Sequence, residues 1–145
     1  MRLIFLIFFC VFISSLQAQD EPEKFVLIGN MPVHKGCAKI KSKLEKQKCT
    51  EEKLTEYEKK NTVYPSGAET AKYNGYVDVE FVIGEDGSII KDMTKVLAGF
   101  SGEDSDLFNQ EAIRVVNSLP TLIPAFTDDQ FHRVKFTRSV YFNRK

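Results

Sequence analysis

The chain has 145 residues, 20 basic against 20 acidic side chains and no formal net charge, and 43% of it is hydrophobic. That length suits one domain with a tail. The charge balance excludes the basic excess by which a nucleic-acid binder grips phosphates, so no nucleic-acid partner is expected.

Met1 and Arg2 are followed by an apolar run from Leu3 to Ile13, then Ser14, Ser15, Leu16, Gln17 and Ala18. A basic start, an apolar centre and a small residue at a polar boundary describe a secretory signal peptide over residues 1–18, with cleavage expected after Ala18. The run falls short of the about 20 apolar residues of a spanning helix, so membrane contact is expected only if this segment stays uncleaved. Cys10 would leave with the signal.

Residues 19–62 read as an N-terminal tail and a helical extension carrying Cys37 and Cys49. An acidic, polar stretch from Gln19 to Lys24 precedes the apolar Phe25-Val26-Leu27-Ile28, which Gly29-Asn30-Met31-Pro32 breaks. Ile40 and Leu44 follow Cys37 at helical spacing. Thr50 is the expected cap of a helix whose first turn holds Glu51 and Glu52 and whose apolar stripe is Leu54 and Tyr57, ending near Asn61. Export into an oxidising compartment favours a Cys37–Cys49 disulfide. One straight helix would hold the two residues ~18 Å apart, against a limit of about 7 Å for a bridge. Either the segment folds back and the bond forms, or it is one helix with two free thiols.

Residues 63–145 are more regular. Val77, Val79, Phe81 and Ile83 alternate with Asp78 and Glu80, a half-buried strand over Tyr76 to Ile83. Gly84-Glu85-Asp86-Gly87 is a hairpin turn. A return strand is expected from Ser88 to Leu97, with a bulge where Ile89-Ile90 and Val96-Leu97 break alternation. After a glycine loop, Asp104 or Ser105 can cap a helix striped by Phe108, Ala112, Val115, Val116 and Leu119 and stopped by Pro120. The last strand is expected from about His132 to Phe142, with Arg138 out of character among Val134, Phe136, Val140 and Phe142. The order implies an α+β fold, two layers with a small antiparallel three-stranded sheet and packed helices.

Catalytic patterns do not stand out. There is no Gly-x-Ser-x-Gly elbow and no His-Glu-x-x-His, and the pairs Glu85-Asp86, Glu103-Asp104 and Asp128-Asp129 fall in expected loops. His34, Cys37 and Cys49 could suggest zinc, but structural zinc takes four ligands and His132 lies in a distant strand. No enzyme activity, metal or cofactor is expected.

The ordered set from Tyr64 to Phe142 resembles the TonB C-terminal domain family. It comprises Tyr64-Pro65, alanines at 68 and 71, Gly75 before the alternating strand, Asp86-Gly87-Ser88-Ile89, the helix Asn109 to Pro120, Pro124 and the closing Val134-Lys135-Phe136-Thr137. Pro32-Val33, Gly36-Cys37 and Cys49 are similar to an extension found before this domain in some members. The chain departs from the family pattern at Val63, Leu122, Ala125 and Ser139, and shows neither a convincing membrane anchor nor a proline-rich spacer. The resemblance implies a periplasmic domain that binds an extended segment of an outer-membrane TonB-dependent receptor along its last strand. The implied partner-binding residues are Tyr64, Pro65, Arg133, Lys135, Thr137, Ser139 and Tyr141. The alternative is a secreted structural or regulatory domain without energy transduction, with self-association as a homodimer open to it.

Overall fold

The computed structural model describes residues 31–68 and 74–143. The expected signal peptide, the acidic tail, the Phe25–Ile28 run and Ala71 lie outside these residues.

A helix α1 (Lys43–Asn61) precedes strand β1 (Gly75–Ile83) and strand β2 (Lys95–Ala98). Helix α2 (Ser105–Asn117) follows, then the short strands β3 (Ala125–Thr127) and β4 (Gln130–His132), and the long strand β5 (Val134–Phe142). The main sheet is antiparallel in the order β2-β1-β5, and β3 and β4 form a separate pair. The α+β arrangement of helices on a three-stranded antiparallel sheet is as the sequence implies.

The core sits between the sheet and the helices. Val77, Val79, Phe81 and Ile83 of β1 and Val140 and Phe142 of β5 meet Phe108, Ala112, Val115 and Val116 of α2. Full burial of one such aliphatic or aromatic side chain contributes about 1.5–3 kcal/mol, so α2 is held by its apolar stripe. Phe108 is also ringed by aromatic partners, with Phe100, Phe142 and Tyr64 at centroid distances of 4.4, 5.1 and 5.3 Å. From α1, Leu54 joins the same core and Tyr57 packs against it.

Two glycines are fixed by close approach. At Gly75 a Cβ would meet the Phe100 ring at 2.8 Å. Gly87 has φ 81° and a Cβ there would lie 1.9 Å from the Leu122 carbonyl oxygen, because the Leu122 N–H donates to the Gly87 carbonyl at 2.9 Å. The β1 turn is thereby stitched to the chain leaving α2.

Three local expectations are corrected. Thr50 is not a cap but an interior residue of α1, buried, its hydroxyl donating to the Lys46 carbonyl and accepting from the His34 N–H. The cap is Ser42, which accepts from the Glu45 N–H at 3.4 Å; Ser42-Lys43-Leu44-Glu45 has the spacing of a capping box. The return strand from Ser88 is broken: Ile89 forms one bridge with Ile83, a 3-10 turn covers Lys91–Met93, and only Lys95–Ala98 pairs as β2. The last strand begins at Val134, since His132 closes the β3–β4 hairpin instead. Asp128 and Asp129, at φ 51° and 61°, form that hairpin's turn, in the left-handed region that a two-residue type I′ loop demands.

The segment between the cysteines folds back. A 3-10 turn at Lys35–Cys37 precedes the new start at Ser42, bringing the Cα atoms of Cys37 and Cys49 to 6.0 Å in a disulfide. His34 caps that turn, its Nδ1 accepting from the Gly36 N–H at 3.1 Å. Val33 forms an isolated bridge with Ile123, tying this knuckle to the segment between α2 and the small hairpin.

Candidate functional site: the β5 edge and the α1 wall

Among the described residues β5 pairs on one side only, with β1, in unbroken register from Gly75↔Phe142 to Ile83↔Val134. In an antiparallel pair, residues alternate between exchanging both backbone bonds across the pair and directing their N–H and C=O away from it. The Val82 carbonyl accepts from the Ile90 N–H and the Gly84 N–H donates to Ser88, so these two residues face the β2 side. Ile83 therefore bonds to Val134 on β5, and the alternation fixes the rest. Phe136, Arg138 and Val140 bond to β1, and Thr137, Ser139 and Tyr141 direct their backbone groups to the open edge.

The side chains alternate in the same rhythm. Val134, Phe136, Arg138, Val140 and Phe142 lie on the helix-covered face, and Lys135, Thr137, Ser139 and Tyr141 on the other. On that outer face Tyr141 meets Tyr76 at 5.5 Å between ring centroids, and the Ser139 hydroxyl lies 2.5 Å from Asp78 Oδ1. Lys135 Nζ is 3.8 Å from Glu80, which also holds Lys95 at 3.0 Å; the Lys95 bond draws the half-buried Glu80 carboxyl below its ordinary range. Arg133, between β4 and β5, faces Glu85 at 3.8 Å with both side chains well exposed.

Arg138, out of character in the strand, is turned inward by the register. Its guanidinium bonds bidentately to Glu58, with one contact at 2.9 Å, and reaches Glu51 at 2.7 Å and Thr55 at 3.1 Å. Both members of the Arg138–Glu58 pair are buried, at 9% and 7% side-chain exposure. Burial pushes the Glu58 carboxyl above its ordinary range against the pull of Arg138. Burial also opposes the charge on Arg138, but the bonds to Glu58 and Glu51 outweigh it and raise its pKa. This cluster fastens α1 beside β5.

A groove of about 280 Å³ results, with Phe136 to Ser139 and Tyr141 on one side and Glu51, Thr55, Glu58 and Lys59 of α1 and the following Thr62 on the other. Thr137, Ser139 and Tyr141 thus come together in it, whereas Arg133 stands before the strand. Tyr64 is partly buried with its ring edge against Phe108, so it packs on the core. Its neighbour Val63 is held to α2: the Val63 N–H donates to Glu111 at 2.8 Å, and Arg114 grips Glu111 and the Asn61 carbonyl at 2.7 Å. Burial would raise the Glu111 carboxyl, but the Arg114 bond and the Val63 N–H together lower it.

Sequence reasoning missed the α1 wall. Its signal was the polar stripe Glu51, Thr55 and Glu58 at i, i+4 and i+7, opposite an arginine in an inward strand phase.

The fold and this edge define an α+β domain that presents an open terminal strand flanked by a helix. The chain belongs to the TonB C-terminal domain family: the family described as Gram-negative bacterial TonB protein C-terminal matches residues 60–143. It thereby carries a protein-interaction domain of TonB-dependent transport, a type found in the periplasm of Gram-negative bacteria. No curated protein and no solved structure gives a significant match to the chain.

Proposed function

We propose that this protein is an exported, non-catalytic periplasmic module that accepts an extended segment of an outer-membrane receptor as a fourth strand beside β5. The observation that carries this reading is the backbone of Thr137, Ser139 and Tyr141, directed to an edge on which no described strand pairs. Strand addition draws affinity from such backbone groups and specificity from alternate side chains. In that role Arg133 and Lys135 steer the partner, while Tyr64 and Pro65 fix the path by which α1 joins the sheet.

A proline scan tests it. Thr137→Pro removes an N–H that faces the open edge, so its circular dichroism should stay native. Co-purification of TonB-dependent receptors from envelope extract should drop at least tenfold. Arg138→Pro removes an N–H bonded to β1 and should lose the fold, because proline is disfavoured inside a paired ladder. Unchanged receptor recovery by a folded Thr137→Pro protein would sink the edge reading.

A further inference from the structure

Between residues 35 and 48 the chain places Lys35, Lys39, Lys41, Lys43, Lys46 and Lys48 against a single acid, Glu45, although the protein as a whole is neutral. The Cys37–Cys49 bond closes most of this stretch into one knuckle. Among the described residues Lys35, Lys39, Lys41, Lys46 and Lys48 make no ion pair, whereas lysines elsewhere on the surface do, such as Lys53 with Glu56 and Lys95 with Glu80. In the middle of the lysines, on the first turn of α1, Leu44 is 77% exposed. Two apolar grooves flank this turn and share Met31 and Gln47 as lining. One runs past Leu44 and Lys48; the other passes Lys43 and Lys46 to the exposed Ile123 and Phe126.

We infer that this disulfide-closed knuckle docks on an anionic lipid bilayer, lysines on the headgroups and Leu44 in the apolar layer beneath. A solvated acidic segment would meet the charges and leave Leu44 in water. A bilayer uses both features at once, cations for phosphates and an exposed aliphatic side chain for the hydrocarbon. Asp128 and Asp129 at the turn of the small hairpin keep that tip out of the headgroup layer, so the contact centres on Leu44. The groove past Leu44 continues to Glu51, Phe136 and Arg138, which also line the β5 groove, so the variants below are confined to residues outside that shared stretch.

The test is partitioning of the full-length, oxidised protein onto phosphatidylcholine vesicles with and without phosphatidylglycerol. The apolar N-terminal segment contributes to both, so the readout is the ratio between the two. We expect an anionic preference of about ten- to hundredfold at low salt, falling as salt rises. The triple variant Lys39→Gln, Lys41→Gln, Lys48→Gln should abolish most of it with the near-ultraviolet circular dichroism unchanged. Leu44→Gln should weaken partitioning several-fold and leave the salt dependence in place. A ratio near one, or a triple variant equal to the parent, overturns the proposal. So does a Leu44→Gln protein that partitions like the parent while soluble polyglutamate displaces both from vesicles, the behaviour of a site for an acidic protein.

Discussion

The two helices are held to the same sheet by opposite means. Helix α2 buries Phe108, Ala112, Val115 and Val116 in one continuous stripe, and its hold is spread over many weak contacts. Helix α1 is polar along most of its length and is fastened at points. These are the disulfide at Cys49, Leu54, the Tyr57 hydroxyl donating to the Ser118 carbonyl at 2.6 Å, and the Arg138 cluster at Glu51, Thr55 and Glu58. A spread hold tolerates the loss of any one atom; a point hold fails one fastening at a time. The difference matters because α1 up to residue 59 lies before the family-matched residues. The family domain supplies the sheet and α2, and this chain adds a pinned helix beside the strand that would receive a partner.

The sharpest test of this contrast is to remove one large member from each hold. Phe108→Ala should cost about 3–5 kcal/mol in denaturant unfolding and shift the whole transition, because α2, β1 and β5 share that ring. Arg138→Met should cost a similar 3–5 kcal/mol, since Glu58 is left as a buried charge. The double variant Arg138→Met with Glu58→Leu should recover most of that loss, as an apolar pair fills the same space. No second substitution should rescue Phe108→Ala in this way. If the double variant is as unstable as the single, α1 is not held by the charge pair.

Next in size is the disulfide. Serine at both Cys37 and Cys49 should cost about 3 kcal/mol in the chain-entropy account. Hydrogen exchange should then rise first in the knuckle and the first turns of α1, with α2 amides protected as before. Equal deprotection of both helices would mean that the fastenings of α1 are not independent.

The smallest effect is in the pH dependence, where the two helices differ in sign. Glu58 has its pKa raised above 4.5, so the folded state binds its proton more readily than the unfolded chain. Stability from that site is greatest at low pH and is lost as pH rises through the folded value. Glu111 has its pKa lowered from 4.5, so its contribution is present above that value and is lost as pH falls through the folded one. Stability curves of Glu111→Gln and the parent should therefore differ most above pH 4.5 and converge below it, while Arg138→Met should be least harmful at acid pH. Parallel curves for Glu111→Gln would remove the assigned role of Arg114 and Val63 at that carboxyl.

How much of this was legible follows the same division. Strand β1 and helix α2 could be read from periodicity because their hold is apolar and repeats along the chain. On helix α1 the Leu54 and Tyr57 stripe could be read, but the glutamates only as a solvated face, because Arg138 and Glu58 are 80 residues apart in sequence and nothing local announces their meeting. The glutamates after Thr50 suggest a cap there, although Ser42 with Glu45 has the better capping pattern. The β3–β4 hairpin carries little sequence signal, since Asp128-Asp129 lacks the glycine that marks Asp86-Gly87, and because Phe126 and Phe131 on three-residue strands give no period. At the site, the edge strand and its outer residues were legible, but the direction of the Thr137 N–H required the Val82–Ile90 bond to fix the phase.

The continuous pairing of β1 with β5 also sets an order of assembly. Gly75 meets Phe142, so most of the main sheet's ladder joins distant stretches of the domain, and it closes only when β5 arrives. The disulfide spans a sequence separation of 12 and can close early, whereas long-range strand pairing is slow. Until β5 docks, the apolar face of β1 lacks its largest neighbour and α1 lacks Arg138. A chain cut before Val134 would thus leave a sticky strand and an unanchored helix together, which makes β5 the latch of the domain.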